Sequence, residues 1–486
     1  VAGYAHPVLD LLRETVDRAA GRCVYAEARH VHHRHEALAV HDELVDSVEA
    51  EESEGVGIRV LVGGAWGFAG TRDVSAAGAE AALRRALAVA EAQPAAAARP
   101  LAPVEPQQGH WEGPCEIDPF AVGLEERLGH LFAAVAAMRG DDRIVRAEAN
   151  ALMRRTTKAL ATSEGTAITQ ALTECGAGIE ATAVGDGELQ TRTYPSSHGG
   201  NVAAAGWEQV LGLELAAHAP RVAAEAVELL TAPECPEGRR TLVLHGEQLA
   251  LQLHESIGHA LELDRMLLGE ASYAGTSWVR PEDLRGSLRY GSPQLHVNAD
   301  ATIPGALGSF GWDDEGVPAA RMMLITEGLL RGALSDRQSA AAVGLDRSGG
   351  CARAEGFARQ PIVRMTNVSV EPGDAGTLAD LIADTDDGLY LESNRSWSID
   401  DRRWQFQFAT QVGREIRGGE LGRLYRNPSY AGITPEFWGS LDAVCGPQEW
   451  ALWGLTNCGK GEPGQTMAVS HGTSPARFRD VQVGVA

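Results

Sequence analysis

Two long stretches of the chain alternate apolar and polar residues, and this period of two limits the fold more than any other feature. In the first, residues 24–35, 37–48 and 56–62 alternate, and Gly63-Gly64 makes a two-residue hairpin turn into 65–71. In the second, alternation runs over 143–194, with turns at Ser163-Glu164-Gly165-Thr166 and Gly185-Asp186-Gly187. Side chains of a strand point alternately to its two faces, so both stretches predict antiparallel meanders with one buried face.

A helical pattern precedes each meander. Val8, Leu11, Leu12, Val16 and Ala19 mark a helix over 7–20 that stops at Gly21. Asp118-Pro119 reads as a cap and first helical residue, followed by Leu124, Leu128, Leu131, Val135 and Met138 on one face. Ser75 caps a further helix over 76–92, and 207–230 is helical again. The Pro-rich linker 93–117 is expected to be a surface loop or interdomain strap, and 233–238 is the best domain boundary. The expected fold is α+β, with antiparallel sheets, packed helices and a strand-rich C-terminal half. Two domains are expected, 1–235 and 236–486, the second carrying the motif helix.

With 486 residues, 44% apolar, the chain has ample material for two cores. Its net charge of −24 repels phosphate backbones, and no basic stripe offsets it, so nucleic-acid binding is not expected. Seven scattered cysteines without a C-x-x-C pair argue against a disulfide scaffold or zinc ribbon and fit a reducing cytoplasm. The first residues have no basic n-region or apolar core, and no run approaches the ~20 apolar residues of a membrane span. A cytoplasmic location without membrane contact is the expectation.

Chemistry concentrates at 253–264, where a strand over 240–244 delivers a helix opened by Gly246. His254, Glu255 and His259 are the ingredients of a metal-hydrolase helix, but the histidines are five residues apart rather than four. In a regular α-helix that spacing turns the rings roughly 140° apart. An i→i+5 π-bulge beside Gly258 would bring them together, and such bulges often mark functional sites. Two imidazoles and an adjacent carboxylate suit metal-assisted hydrolysis, in which the ion acidifies water and polarises a carbonyl while Glu255 takes the proton.

A third ligand is open among Glu262, Asp264, His245, His296, His471, Cys445 and Cys458. Cys458 lies among glycines beside Lys460, which is expected to lower its pKa. Asp313 and Asp314, in an acidic turn, read as a solvated hairpin or as a cleft wall or support for metal ligands. Arg364 could clamp a substrate carboxylate or pair with a surface acid. The cluster His30, His32, His33 and His35 splits between two strand faces and reads as an exposed polar strand. Trp438, Trp450 and Trp453 read as core or loop anchors, with a cleft lining as the other option.

His254-Glu255-x-x-x-His259 with Gly258, Glu262 and Asp264 resembles the TldD half of the TldD/PmbA metalloprotease family. Residues 313–318 (DDEGVP), 364–367 (RMTN), Cys458-Gly459-Lys460, 55–60 and 66–69 resemble that family in the same order. The resemblance implies a zinc peptidase with one Zn2+ held by His254, His259 and Cys458, and Glu255 as general base. It implies an active subunit that cleaves unstructured peptides, including leader peptides, as a dimer with an inactive PmbA/TldE-type partner or with itself. Two alternatives stand beside it: a metal-dependent amidase acting on a small biosynthetic conjugate, and a non-catalytic adaptor with structural zinc. Intact Glu255 argues against the adaptor.

Overall fold

In the computed structural model, which describes residues 7–94, 100–271, 275–286 and 288–484, the two alternating stretches fold into one sheet. The strands Tyr25–His41 and Leu44–Val62 form a long antiparallel hairpin, turned at Asp42, and Ala65–Thr71 returns along Val56–Val62 after Gly63 and Gly64, both at positive φ. Ile144–Thr162 and Ala167–Gly185 form the second hairpin. The first strand of each hairpin pairs with the first strand of the other, so the two meanders are continuous across a single eight-stranded sheet.

Helices cover the apolar face of this sheet in two groups. Pro7–Asp17 and Ala76–Glu91 pack Leu9, Leu12, Leu83 and Leu87 over one hairpin. Leu124–Met138 and Leu215–Leu229 pack Leu131, Val135, Val222 and Ala226 over the other. Two expectations need correction. The helix expected from Asp118 begins at Leu124, because the Asp118 carboxylate instead accepts the Phe120 amide in a local turn and pairs with Arg155. The 93–117 segment is not all loop: Gln108–Glu112 joins the sheet edge parallel to Ala167–Gly185, while 95–99 lie outside the described residues.

The C-terminal half is strand-rich, as expected. Gly238–Leu244, Ala476–Val483, Ser429–Ile433, Gln405–Arg417 and Asp387–Ile399 pair in that order, and the last also pairs with the first, so the ring closes. Closure removes free edges and gives the motif helix a stiff mount. The aromatics Phe406, Phe408, Tyr430, Phe437 and Trp438 fill this core, so Trp438 is a packing residue. Trp450 and Trp453 are half-buried outside it, Trp450 donating to the Val370 carbonyl and Trp453 lying against the His245 ring. Ala451–Lys460 and Gln465–Thr473 form a separate two-stranded ribbon. Arg192 ties the halves together, donating to Glu225 on a helix and to Glu392 and Gln411 in the ring.

Candidate metal centre

The strand Gly238–Leu244 runs into helix Gly246–Leu253 through His245, whose ring accepts the Glu247 amide as an N-cap. At His254 the helix widens. Residues His254–Gly258 form a π-turn, and the His259 amide donates to the His254 carbonyl, five residues back. Gly258 permits this against the core: a Cβ there would stand 2.2 Å from Met365 Sδ. The extra residue brings the rings of His254 and His259 edge to face, with centroids 4.6 Å apart.

Cys458 arrives from the ribbon, its Sγ 3.6 Å from His259 Nε2. One donor atom from each of His254, His259 and Cys458 lies within 4.8 Å of the others, and all three residues are buried. Each imidazole has its other nitrogen committed. His254 Nδ1 is 2.8 Å from His471 Nε2, and His471 Nδ1 is 2.7 Å from the Val368 carbonyl. A carbonyl only accepts, so the network assigns the proton of His471 to Nδ1, makes its Nε2 accept from His254 Nδ1–H, and leaves His254 Nε2 as a lone-pair donor. On His259, Nδ1 donates to Glu262 Oε2 at 3.0 Å, which likewise leaves Nε2 as the lone-pair donor.

Charge states agree with this assignment. Burial lowers His254 to about 4 and His471 well below its ordinary value, so both rings are neutral. Burial alone would raise the Cys458 thiol, but the Arg364 guanidinium and His259 outweigh it and hold the group down at about 7. Burial also lowers His259, so the imidazoles of His254 and His259 and a readily ionised thiol, with their outer partners in place, fit a three-ligand zinc site of the catalytic type.

Glu255 is held at both oxygens: Trp397 Nε1 donates to Oε1 at 2.9 Å and Arg403 Nη1 to Oε2 at 2.7 Å. Arg403 sits at φ +64° in the turn between two ring strands. Its amide donates to the Asp400 carbonyl and its own carbonyl accepts from Thr434 Oγ1.

Three family descriptions match the chain in order: PmbA/TldA metallopeptidase domain 1 over 26–90, the central domain over 117–232 and the C-terminal domain over 237–485. The chain belongs to the PmbA/TldD metallopeptidase family. A metalloprotease of Methanocaldococcus jannaschii is 28% identical, covering 92% of this chain and 94% of that protein. One from Methanothermobacter thermautotrophicus is 29% identical over 95% of this chain and 96% of its own. A protein of Saccharolobus solfataricus named zinc metalloprotease TldD homolog is 27% identical over 51% of this chain and 52% of its own. TldE of Thermococcus kodakarensis has the same fold, with a TM-score of 0.74 at 15% identity, covering 97% of this chain and 99% of that one. The chain is thus a metallopeptidase by family.

Within this PmbA/TldD chain the remaining candidate residues take other places. Arg364 is no substrate clamp and meets no surface acid: it is fully buried and donates to the Cys458 and Gln465 carbonyls. That position lets it, rather than Lys460, lower the Cys458 thiol. Lys460 turns instead to Asp264, to Glu262 and to the Val363 carbonyl. Asp264, pushed up to about 6 by burial, is bound to Lys460 rather than placed among the metal donors. Glu262 supports His259 and is anchored by Arg265 at 2.6 Å. His245, His296 and Cys445 lie outside the three-residue cluster.

The acidic turn is not solvated. Asp313 accepts the Glu315, Val317 and Ala352 amides, and Asp314 takes both oxygens to Lys158 Nζ at 3.0 Å. Both line a cavity of about 660 Å³ between the N-terminal sheet and the ribbon, with Trp111, Trp312 and Met467. None of the three clustered donor residues lines it, but Met467 is the cross-strand partner of Cys458. The histidine cluster also departs from an exposed strand: His30 is buried against Glu54, while His33 and His35 line this cavity. His33 is neutral, lowered to about 4 by burial, between Thr156 and the Glu355 carbonyl. Sequence reasoning offered His471 only as a ligand and gave no signal for Trp397 or Arg403, which reach Glu255 from more than 140 residues away.

Proposed function

We propose that this chain is a TldD-type, active zinc peptidase that hydrolyses peptide bonds in unstructured peptides, leader peptides among them. The observation that carries the reading is the convergence of one donor atom from each of His254, His259 and Cys458, each histidine oriented by a hydrogen-bond partner on Nδ1. When bound, zinc supplies Lewis acidity to the scissile carbonyl and to water. His254, His259 and Cys458 hold the ion; His471 and Glu262 fix the two rings.

Glu255 takes the proton released as water adds to the carbonyl carbon, and returns it to the departing amine nitrogen as the C–N bond breaks. Arg403 and Trp397 aim its carboxylate and restrict it to one orientation. In this reading residues 236–486 form the catalytic domain and 1–235 the N-terminal domain. The chain works in the cytoplasm as a dimer, with a PmbA/TldE-type partner or with itself. No helix of the described residues is long and apolar enough to cross a membrane.

The test compares wild type with Glu255→Gln after zinc loading. The variant is expected to keep one zinc per chain by elemental analysis and to lose peptide hydrolysis by about 1,000-fold or more. Turnover at the wild-type rate with zinc bound would remove Glu255 from the mechanism.

A further inference from the structure

The strand Leu44–Val62 is paired along its whole length on one side by Tyr25–His41, but on the other only over Val56–Val62. Along residues 44–55 no strand of the described residues occupies the outer edge. Such an edge presents a row of unpaired amides and carbonyls, the template on which an extended segment adds as a further strand. Leu44, Val45 and Val48 are 60%, 46% and 52% exposed along it.

The charge on this edge is of one sign. Six carboxylates lie between positions 43 and 54, with no Lys or Arg. His30, His32 and His41 pair with Glu54, Glu52 and Asp46, whereas Glu49 and Glu51 have no ion pair among the described residues. Two copies of this chain would bring like charges together edge to edge, which disfavours self-pairing. A Lys- or Arg-bearing segment would meet complementary charge instead.

The edge also continues into the cavity. Glu51, Glu52 and Ser53 form part of its lining. Glu51 stands opposite His35, His35 opposite Arg154, and Arg154 opposite Glu174, so one row of side chains crosses four strands from the open edge into the cavity floor. Arg154 is engaged by Glu174 at 3.3 Å and Lys158 by Asp314, which leaves the unpaired carboxylate at the edge end of the row.

We propose that the outer edge of residues 44–54 is a docking strand for an extended, basic polypeptide segment, which adds to the sheet beside Glu49 and Glu51 at the mouth of the cavity. Main-chain hydrogen bonds hold the segment, and the carboxylates select its cationic side chains. This binding does not depend on the metallopeptidase reading and is measured with chelator-treated, full-length chain, in which no cleavage takes place.

The probe is a fluorescent decapeptide of alternating Lys and Val, followed by anisotropy at fixed ionic strength. A Glu/Val counterpart and a Lys/Val peptide N-methylated at alternate residues serve as comparisons. The Lys/Val peptide is expected to bind and to slow amide hydrogen exchange in 44–54. The N-methylated and Glu/Val peptides are expected to bind at least tenfold more weakly. The double variant E49Q/E51Q is expected to lose about tenfold in affinity, while D10N/E14Q, on an exposed helix, binds as wild type. Equal binding of the N-methylated peptide, an equal loss in D10N/E14Q, or no binding at all overturns the proposal. So does exchange protection, in the peptide-free chain, of the 44–54 amides that face away from Tyr25–His41, because a second copy then covers the edge.

Discussion

Arg403 Nη1 lies 2.7 Å from Glu255 Oε2, and both side chains are largely buried, at 8% and 11% exposure. A buried pair stripped of one partner leaves an uncompensated charge, which is costlier than losing both. Arg403→Ala is therefore expected to lower stability by about 3 kcal/mol, and Arg403→Ala/Glu255→Ala to recover part of that loss. In zinc-loaded Arg403→Ala, kcat should fall by roughly 10–100-fold with a smaller change in KM, because the carboxylate loses its aim. Urea titrations of the three variants and steady-state kinetics of the single variant check this.

His471 fixes His254 without belonging to the donor cluster. Replacing it with Ala removes the acceptor of His254 Nδ1–H and frees the ring to rotate. Zinc affinity is expected to drop by roughly 10–100-fold, as for other outer partners of metal histidines. A chelator competition on the purified variant measures it, and unchanged affinity would detach His471 from the site.

Gly258→Ala tests the wide turn. The added methyl meets Met365 Sδ in a fully packed region, an overpacking expected to cost about 1–3 kcal/mol. Met365→Ala in the same chain should return part of the stability by removing the obstacle. Thermal melts of the single and double variants are the measurement, with zinc stoichiometry as the second readout.

Acid sensitivity is expected where Arg192 joins the halves. Burial would raise Glu392, but Arg192 outweighs it and holds the carboxyl at about 2, below its ordinary 4.5. A depressed carboxyl stabilises the folded state above its unfolded pKa and loses that contribution as pH falls through the folded one. The Glu392 contribution should thus be complete above about pH 5 and vanish between there and pH 2. Urea unfolding of Glu392→Gln beside wild type should show a difference at pH 6 that narrows toward pH 3.

Local pattern made the helices and hairpins legible, because their signals lie within a few residues. Gly63-Gly64 and the alternation through 24–71 suffice for the first meander, and the five-residue spacing of His254 and His259 suffices for the π-turn. Side-chain partners separated by long stretches of chain were not legible. Arg364 reads as a surface or substrate-facing cation until Cys458 is folded over it, and Asp314 as a solvated acid until Lys158 comes across from the other half. The helix start was missed because Asp118 has two turn geometries available, and Arg155 favours the one that ends at once.

Cys458 is separated from His259 by 199 residues, and His471 from His254 by 217. During synthesis, the motif helix leaves the ribosome with two of its donors and neither of these later partners. Until the ribbon is made and folded back, a metal would meet only an incomplete ligand set. On the proposed ligand set, the order of residues along the chain therefore leaves the site incomplete until the ribbon has folded back over the motif helix.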